Sequence, residues 1–204
     1  GRIWVGLLGG GLNLISEANG TIAFKHKYNG LKQYPLYGLY MEVRTMTEDN
    51  DGRIWVGTMD GLMSFDGHFT NPEEIQFETY RQVSERSNVA DNDIYVLYKD
   101  SESQIWVSVF GGGLNKLVHY DKERRVPVFK SYGIREGMNN DVVKSIVEDK
   151  DGNLWFTTEI GLSCFNKDTE QFRNYDRYDG FLNVELEESS ALRTLSGDLW
   201  LGSR

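Results

Sequence analysis

The sequence has few of the residues that support covalent or metal-based chemistry. It contains one cysteine, Cys164, and three histidines in 204 residues, so it can form neither an internal disulfide nor a cysteine-based metal cluster. Three prolines exclude a proline-rich linker, and no stretch approaches the roughly 18 apolar residues of a membrane-spanning helix. Positive charge is also scarce, because 22 lysines and arginines face 31 aspartates and glutamates, which leaves a net charge of −9. This balance disfavours a nucleic-acid surface, which needs a basic face to neutralise phosphates.

The residues that are present indicate a folded domain with an internal repeat. Apolar residues make up 39% of the chain and there are 22 glycines, a composition typical of globular proteins. The five tryptophans lie at positions 4, 55, 106, 155 and 200. A Gly-Leu pair follows each of the first four, and an aromatic pair such as Phe24 with Tyr28 or Phe172 with Tyr175 comes next. Three features in a constant order define a repeat of about 50 residues.

Each repeat is expected to form short antiparallel strands. The segments 43–48 and 53–58 are rich in β-branched and apolar residues and are joined by Asn50-Asp51-Gly52, which predicts a hairpin with a type I′ turn. The pair Asp151-Gly152 predicts the same turn in the fourth repeat. Glu102-Ser103 occupies that place in the third repeat without a glycine, so we expect a longer or differently twisted turn there. No segment has a sustained helical periodicity.

These strands predict an all-β fold. A four-stranded sheet with two apolar faces must stack on its copies, and radial stacking gives a β-propeller of four-stranded antiparallel blades. We expect a single β-propeller fragment over residues 1–204, an incomplete arc of about four to five blades from a longer propeller. The repeat boundaries are expected near 1–38, 39–90, 91–138, 139–182 and 183–204, with the first and last repeats partial. Pairing of two such arcs into a homodimer is a further hypothesis.

Packing between blades is expected to centre on the tryptophans, because one buried indole removes ~150–250 Å² from water. The first strand of each central repeat also carries two apolar residues three positions apart, such as Val43 with Met46 and Ile94 with Leu97. Successive strand residues point to opposite faces. We therefore expect the two members of each pair to face different neighbouring blades.

The segment Asn140–Leu162, NDVVKSIVEDKDGNLWFTTEIGL, resembles the two-component regulator propeller repeat. Segments 92–106 and 48–62 are further copies, and 179–202 resembles the closing blade of these propellers. In that family the repeats form the periplasmic sensor domain of hybrid two-component histidine kinases of Bacteroidetes. The resemblance implies a sensor that detects oligosaccharides and signals to transcriptional control of polysaccharide utilisation. It also implies the periplasmic part of an inner-membrane protein, with the kinase and all membrane contact in regions outside this sequence.

Ligands of propellers usually bind where the loops between blades and the second hairpin turns converge on the central channel. Sugars are bound by aromatic rings that stack on them and by planar polar groups that hydrogen-bond their hydroxyls. Residues of these types in those loops are the predicted ligand-binding residues: Tyr37, Tyr40, Arg86, Phe110, Arg135, Asn139, Glu159, Arg177 and Tyr178. For each of them, an ordinary loop residue is the alternative interpretation.

Several other chemistries have partial signals. Asp149 and Asp151-Gly152 resemble the start of a calcium loop but lack its further oxygen ligands, so turn chemistry explains them better. The same turn resembles the structural Asp-box of sialidase propellers. A glycosidase needs two carboxylates ~5–10 Å apart, and only Asp60 and Glu159 are candidates. We therefore predict no catalytic residue, no metal site and no cofactor.

The sequence leaves three functions open. The first is a non-enzymatic sensor segment whose partner is an oligosaccharide ligand, with no nucleic acid bound. The second is a protein-interaction scaffold, since the net charge of −9 suits a basic partner. The third is a carbohydrate-active hydrolase or lyase.

Overall fold

The computed structural model describes residues 2–18, 20–81, 92–181 and 186–203. In this part of the chain the strands form five antiparallel sheets, in which strands adjacent in sequence pair with each other. Sheet 1 consists of β1 (Ile3–Leu7), β2 (Gly11–Ala18) and β3 (Thr21–His26). Sheet 2 consists of β4 (Val43–Glu48), β5 (Arg53–Thr58), β6 (Gly61–Asp66) and β7 (Glu78–Tyr80).

The remaining sheets repeat this order. Sheet 3 consists of β8 (Ile94–Lys99), β9 (Ile105–Val109), β10 (Gly113–Asp121) and β11 (Val126–Tyr132). Sheet 4 consists of β12 (Val143–Glu148), β13 (Leu154–Thr158), β14 (Gly161–Asn166) and β15 (Gln171–Tyr175). Sheet 5 pairs β16 (Leu186–Arg193) with β17 (Leu199–Ser203). The predicted all-β fold with four-stranded antiparallel blades is confirmed.

The helical content of the described residues is three single 3-10 turns, at Pro72–Glu74, Ile134–Glu136 and Arg177–Asp179. None of them has the length or apolar character needed to cross a bilayer. The first strands of successive sheets, β4, β8, β12 and β16, contact one another. These strands therefore lie around a common axis.

The first hairpin of sheets 2 to 5 has one recurrent turn. In sheet 2 the Asp49 amide donates to the Arg53 carbonyl, and the Asp49 carboxylate accepts hydrogen bonds from the amides of Asp51 and Arg53. Of the three residues between Asp49 and Arg53, only Gly52 has a positive φ, which is 78°. The turn is thus a three-residue loop ending in a left-handed residue, and the expected type I′ turn is wrong.

Sheet 3 keeps this turn without the glycine. The Asp100 amide donates to the Gln104 carbonyl, and the Asp100 carboxylate accepts from the amides of Glu102 and Gln104. Ser103 takes the left-handed position, with φ of 66°. The expectation of a longer or differently twisted turn is therefore wrong, because the serine adopts the conformation that glycine has elsewhere.

Three hydrophobic clusters fill the spaces between neighbouring sheets. The tryptophan of one sheet packs against the third strand of the next, with ring centroids 4.9 Å apart for Trp4 and Phe65 and 5.7 Å for Trp106 and Phe165. Trp55 and Trp106 are fully buried, as predicted for anchors between blades. Trp200 is 66% exposed, and for this residue the prediction is wrong, since no further described sheet covers that side of sheet 5.

A β-bulge changes which residues of the first strands share a face. In sheet 2, Val43 pairs with Thr58 and Thr45 pairs with Gly57, so Arg44 is an extra residue. Val43 and Met46 consequently pack in one cluster, and Ile94 and Leu97 do the same in sheet 3. The expectation that such pairs face different neighbours is wrong. The bulge adds one residue to the strand, so side chains three positions apart point to the same face.

Candidate functional site

The connections between sheets, the second turns of sheets 2 to 4 and the first turn of sheet 1 share one face of the molecule. Three backbone hydrogen bonds of 2.9 Å join them: Gly11 to Met41, Phe110 to Asp93 and Gly113 to Asp141. We call this the upper face and define it by the described residues 27–42, 59–60, 110–112, 133–142, 159–160 and 176–181, together with 8–10. Its exposed large apolar and aromatic side chains are Leu8, Tyr28, Leu36, Tyr37, Leu39, Ile134, Ile160 and Tyr178. Such a concentration is typical of a binding surface.

The bulge of the first strands recurs next to this face. It falls at Arg44 in β4, at Tyr95 in β8 and at Lys144 in β12. In each strand the bulged side chain is partly exposed, whereas the residue before it is buried. Bulges that recur near an axis re-aim side chains, and they are over-represented beside functional sites.

Two of these bulged residues form a polar cluster with neighbouring strands. Arg44 donates from Nη2 to Asp93 Oδ2 at 2.8 Å and from Nη1 to Glu188 Oε2 at 2.6 Å. Arg44 therefore links the first strand of sheet 2 to the residue before β8 and to β16. We call Arg44, Asp93, Tyr95, Phe110 and Glu188 the axial cluster.

Aromatic rings complete the axial cluster. The Arg44 guanidinium carbon lies 4.9 Å from the centroid of the Tyr95 ring, and the ring centroids of Tyr95 and Phe110 are 5.5 Å apart. Burial raises the pKa of the Tyr95 hydroxyl, and the negative charges of Glu188, Asp93 and Glu159 raise it further. Tyr95 is therefore a neutral hydrogen-bond donor at physiological pH. The cluster thus offers an aromatic surface beside a guanidinium and carboxylates.

The cluster contains one accessible ion pair. The Arg44 side chain is 21% exposed and that of Glu188 is 40% exposed. Glu188 is thus the more accessible partner, and a ligand hydroxyl can approach the pair from its side. Asp93 is less exposed and binds Arg44 through both Nε and Nη2.

The predicted ligand-binding residues separate into several places. Phe110 belongs to the axial cluster, and Glu159 lies near enough to affect Tyr95. Tyr37 is exposed and bonds Thr79 Oγ1 at 3.0 Å. Tyr40 is only 1% exposed and packs in the core between sheets 1 and 2, so its ring has no face for a sugar.

Four others lie further along the upper face. Arg177 donates to the Tyr178 hydroxyl at 2.8 Å, and both side chains are exposed. Arg135 is exposed on the turn Ile134–Glu136. Asn139 Oδ1 accepts hydrogen bonds from the hydroxyls of Thr158 and Ser163, which gives it a structural role. Arg86 lies outside the described residues.

Sequence reasoning missed Arg44, Tyr95 and Glu188. In β8, Tyr95 stands second in a largely apolar strand, whereas β4 is mostly polar and gives no such signal for Arg44. Glu188 lies 144 residues from Arg44, and no local pattern connects them.

The other candidate chemistries have structural explanations in this fold. Asp149 accepts from the amides of Asp151 and Asn153 and from the Trp155 indole, which supports the turn interpretation over a calcium loop. Asp60 is bound by Arg81 at 2.6 Å. In the described ranges, no group of three or more histidine, cysteine or acidic side chains is arranged to hold a metal.

A family described as two component regulator propeller matches residues 38–60 and 137–159. Each match contains the bulged first strand, the hairpin turn and the tryptophan strand. Both segments are thus similar to the two-component regulator propeller repeat. The chain is also 28% identical over 202 residues to Histidine kinase P4 of Formosa agariphila. That alignment covers 98% of this chain and 14% of the relative, so this chain spans a small part of the relative's length.

Two solved structures share the fold of these repeats. The extracellular domain of a hybrid two component system of B. thetaiotaomicron superposes with a TM-score of 0.75 at 21% identity, over 100% of this chain and 27% of that chain. Virginiamycin B lyase from Staphylococcus aureus superposes with a TM-score of 0.62 at 14% identity, over 98% of this chain and 59% of that chain.

Proposed function

We propose that the chain is part of the extracytoplasmic sensor of a hybrid two-component system and that its axial cluster binds an oligosaccharide. The observation that carries the proposal is the recurrent bulge, which places Arg44 and Tyr95 together with Glu188 at the axis beside the upper face. The similarity to a histidine kinase and to the extracellular domain of a two component system supports the sensor role.

The chemistry of the cluster suits a polyhydroxylated ligand. Tyr95 and Phe110 supply ring surface against which the apolar face of a sugar can stack. The Arg44 guanidinium donates and the Glu188 carboxylate accepts, so together they match vicinal hydroxyls. We assign no catalytic role to the segment.

Signalling requires a ligand that binds two arrangements of the protein with different affinities. Arg44 joins β4 to β16, so a ligand that competes for Arg44 changes the link between sheets 2 and 5. We place the segment in the periplasm, as part of an inner-membrane protein that acts as a homodimer and controls genes for polysaccharide utilisation.

Calorimetric titration with a panel of plant and host oligosaccharides tests this proposal. We expect one class to bind, and we expect Arg44→Ala and Tyr95→Phe each to weaken its binding about tenfold, the loss of one good hydrogen bond. Lys150→Ala, on an exposed turn at the opposite face, is the control. Binding that is unchanged in both cluster variants would contradict the axial site.

A protein-interaction scaffold is the second candidate. The exposed side chains of Leu36, Leu39 and Ile134 favour it, because apolar patches on a soluble surface often bind proteins. Heat of binding with proteins alone would support this candidate over the sensor.

A lyase is the weaker alternative. A histidine-to-alanine variant of virginiamycin B lyase is described as catalytically inactive. Here His68 and His119 lie on the face opposite the upper face, and His26 ends the outermost strand of sheet 1. Turnover of any oligosaccharide would nevertheless overturn both binding hypotheses.

A further inference from the structure

A groove of about 660 Å³ lies on the face opposite the upper face. One wall is the segment that leads from β6 to β7, residues 66–76, and the other is the tip of the β10–β11 hairpin of sheet 3. The volume is in the range of small-molecule sites. None of the predicted ligand-binding residues lines it.

The floor of the groove is a hydrogen-bonded network around Glu78, and Arg125 joins it from the hairpin tip through Nε, which lies 2.7 Å from Glu78 Oε1. Glu78 accepts hydrogen bonds from Arg53 Nη1 at 2.6 Å and from the Tyr120 hydroxyl at 2.7 Å. The Arg53 guanidinium carbon lies 4.0 Å from the centroid of the Tyr120 ring. Because these groups satisfy one another, the floor provides shape and an aromatic edge.

The two walls carry opposite charges. Asp66 and Glu74 are exposed on the wall from sheet 2, whereas Lys122 and Arg125 are exposed on the hairpin tip. Lys122 Nζ contacts Asp51 at 3.0 Å, and both of these side chains are largely exposed. Such a surface pair contributes little, so Lys122 can exchange Asp51 for another carboxylate at small cost.

We propose that this groove binds a zwitterionic ligand of the short-peptide class, with its ammonium group toward Asp66 and Glu74 and its carboxylate toward Lys122 and Arg125. A ligand with both charges gains from both walls, whereas an ion of one sign is attracted by one wall and repelled by the other. This site is separate from the oligosaccharide site proposed above and does not depend on it.

Trialanine and its end-blocked forms are the probes. We expect free trialanine to bind in a calorimetric or NMR titration, and N-acetylation or C-amidation each to weaken binding about tenfold, as for one charge-assisted hydrogen bond. The peptide with both ends blocked should not bind. Raising the salt concentration should weaken binding of the free peptide.

Variants of the two walls assign the contacts. Lys122→Ala should weaken binding of free trialanine but leave binding of the C-amidated peptide unchanged, and Asp66→Asn should act likewise toward the N-acetylated peptide. Lys150→Ala, an exposed lysine on the first turn of sheet 4 that does not line the groove, is the control. Circular dichroism of each variant checks that the fold is kept.

Three results would overturn the proposal. They are no binding of free trialanine, equal binding of the free and doubly blocked peptides, and loss of peptide binding in Arg44→Ala, which would move the site to the axial cluster. Loss of oligosaccharide binding in Arg44→Ala with peptide binding retained supports both sites. Retained peptide binding with no oligosaccharide bound overturns only the function proposed for the upper face.

Discussion

The indole nitrogen of Trp106 donates a hydrogen bond of 2.9 Å to Asp100 Oδ2, across the first hairpin of sheet 3. The same bond, at 2.8 Å, joins Trp55 to Asp49 and Trp155 to Asp149. Each carboxylate also accepts from the turn amides through Oδ1, so one side chain closes the turn and fixes the tryptophan. Thr194 stands at this place in sheet 5, where Trp200 is exposed.

Replacing Asp100 by alanine should therefore destabilise the fold strongly. Asp100 has a fully buried side chain and also accepts from Lys167 Nζ at 3.1 Å, so the substitution leaves two buried donors with fewer partners. We expect a loss of about 3 kcal/mol in the free energy of unfolding, measured by urea denaturation. Glu102→Ala is the control, because Glu102 also contacts Lys167 but is 72% exposed, and it should cost less than ~1 kcal/mol. Equal losses in the two variants would contradict the assignment.

Ser103, the left-handed residue in the first turn of sheet 3, gives a prediction of increased stability on substitution. Ser103 has φ of 66°, where Gly152 of sheet 4 has φ of 83° in the same turn. A residue with a side chain pays about 1–2 kcal/mol to adopt this conformation, and glycine avoids that cost. Glycine also loses more conformational entropy on folding, which cancels part of the gain in stability. We expect Ser103→Gly to raise the free energy of unfolding by about 0.5 kcal/mol and Gly152→Ser to lower it by about 1 kcal/mol. Thermal and urea unfolding measure both, and a loss in Ser103→Gly would show that the serine hydroxyl stabilises the turn.

The Glu78 network predicts a dependence of stability on pH. Burial alone would raise the pKa of this carboxyl, but hydrogen bonds from Tyr120 and Arg125 and the charge of Arg53 outweigh it and hold the pKa below its ordinary 4.5. Because the folded pKa lies below the unfolded one, the stabilisation is complete above about pH 5 and is lost as the pH falls through the folded pKa.

Glu78→Gln tests this dependence. The variant should lose about 2 kcal/mol of unfolding free energy at pH 7, and the difference from the wild type should shrink below pH 4. Urea unfolding at pH 7, 5, 4 and 3 measures the difference. Glu123→Gln, on the exposed turn of the β10–β11 hairpin, is the control and should follow the wild type at every pH. A difference that stays constant with pH would mean that Glu78 acts through packing alone.

The sequence was sufficient for the parts of this fold that depend on local pattern. Strands 43–48 and 53–58 and the burial of Trp55 follow from periodicity, turn residues and side-chain size. The bulge at Arg44 could not be predicted, because the pairing register of β4 with β5 decides it and the residue types do not. For that reason both the face of Met46 and the axial cluster were missed.

The exposed face of sheet 5 provides a test of the proposed homodimer. Leu192 and Trp200 are cross-strand partners, so their side chains share one face, and both are exposed. If this face pairs with a second copy of the chain, Trp200→Ser should lower the mass measured by light scattering to that of a monomer. At low protein concentration it should change the free energy of unfolding by less than ~0.5 kcal/mol, as for a surface position. Leu195→Ser is the matched control, because Leu195 is fully exposed in the turn that joins β16 to β17 and should leave the mass unchanged. A wild-type chain that is monomeric at every concentration, or a dimer that persists in Trp200→Ser, would exclude this face as the contact between copies.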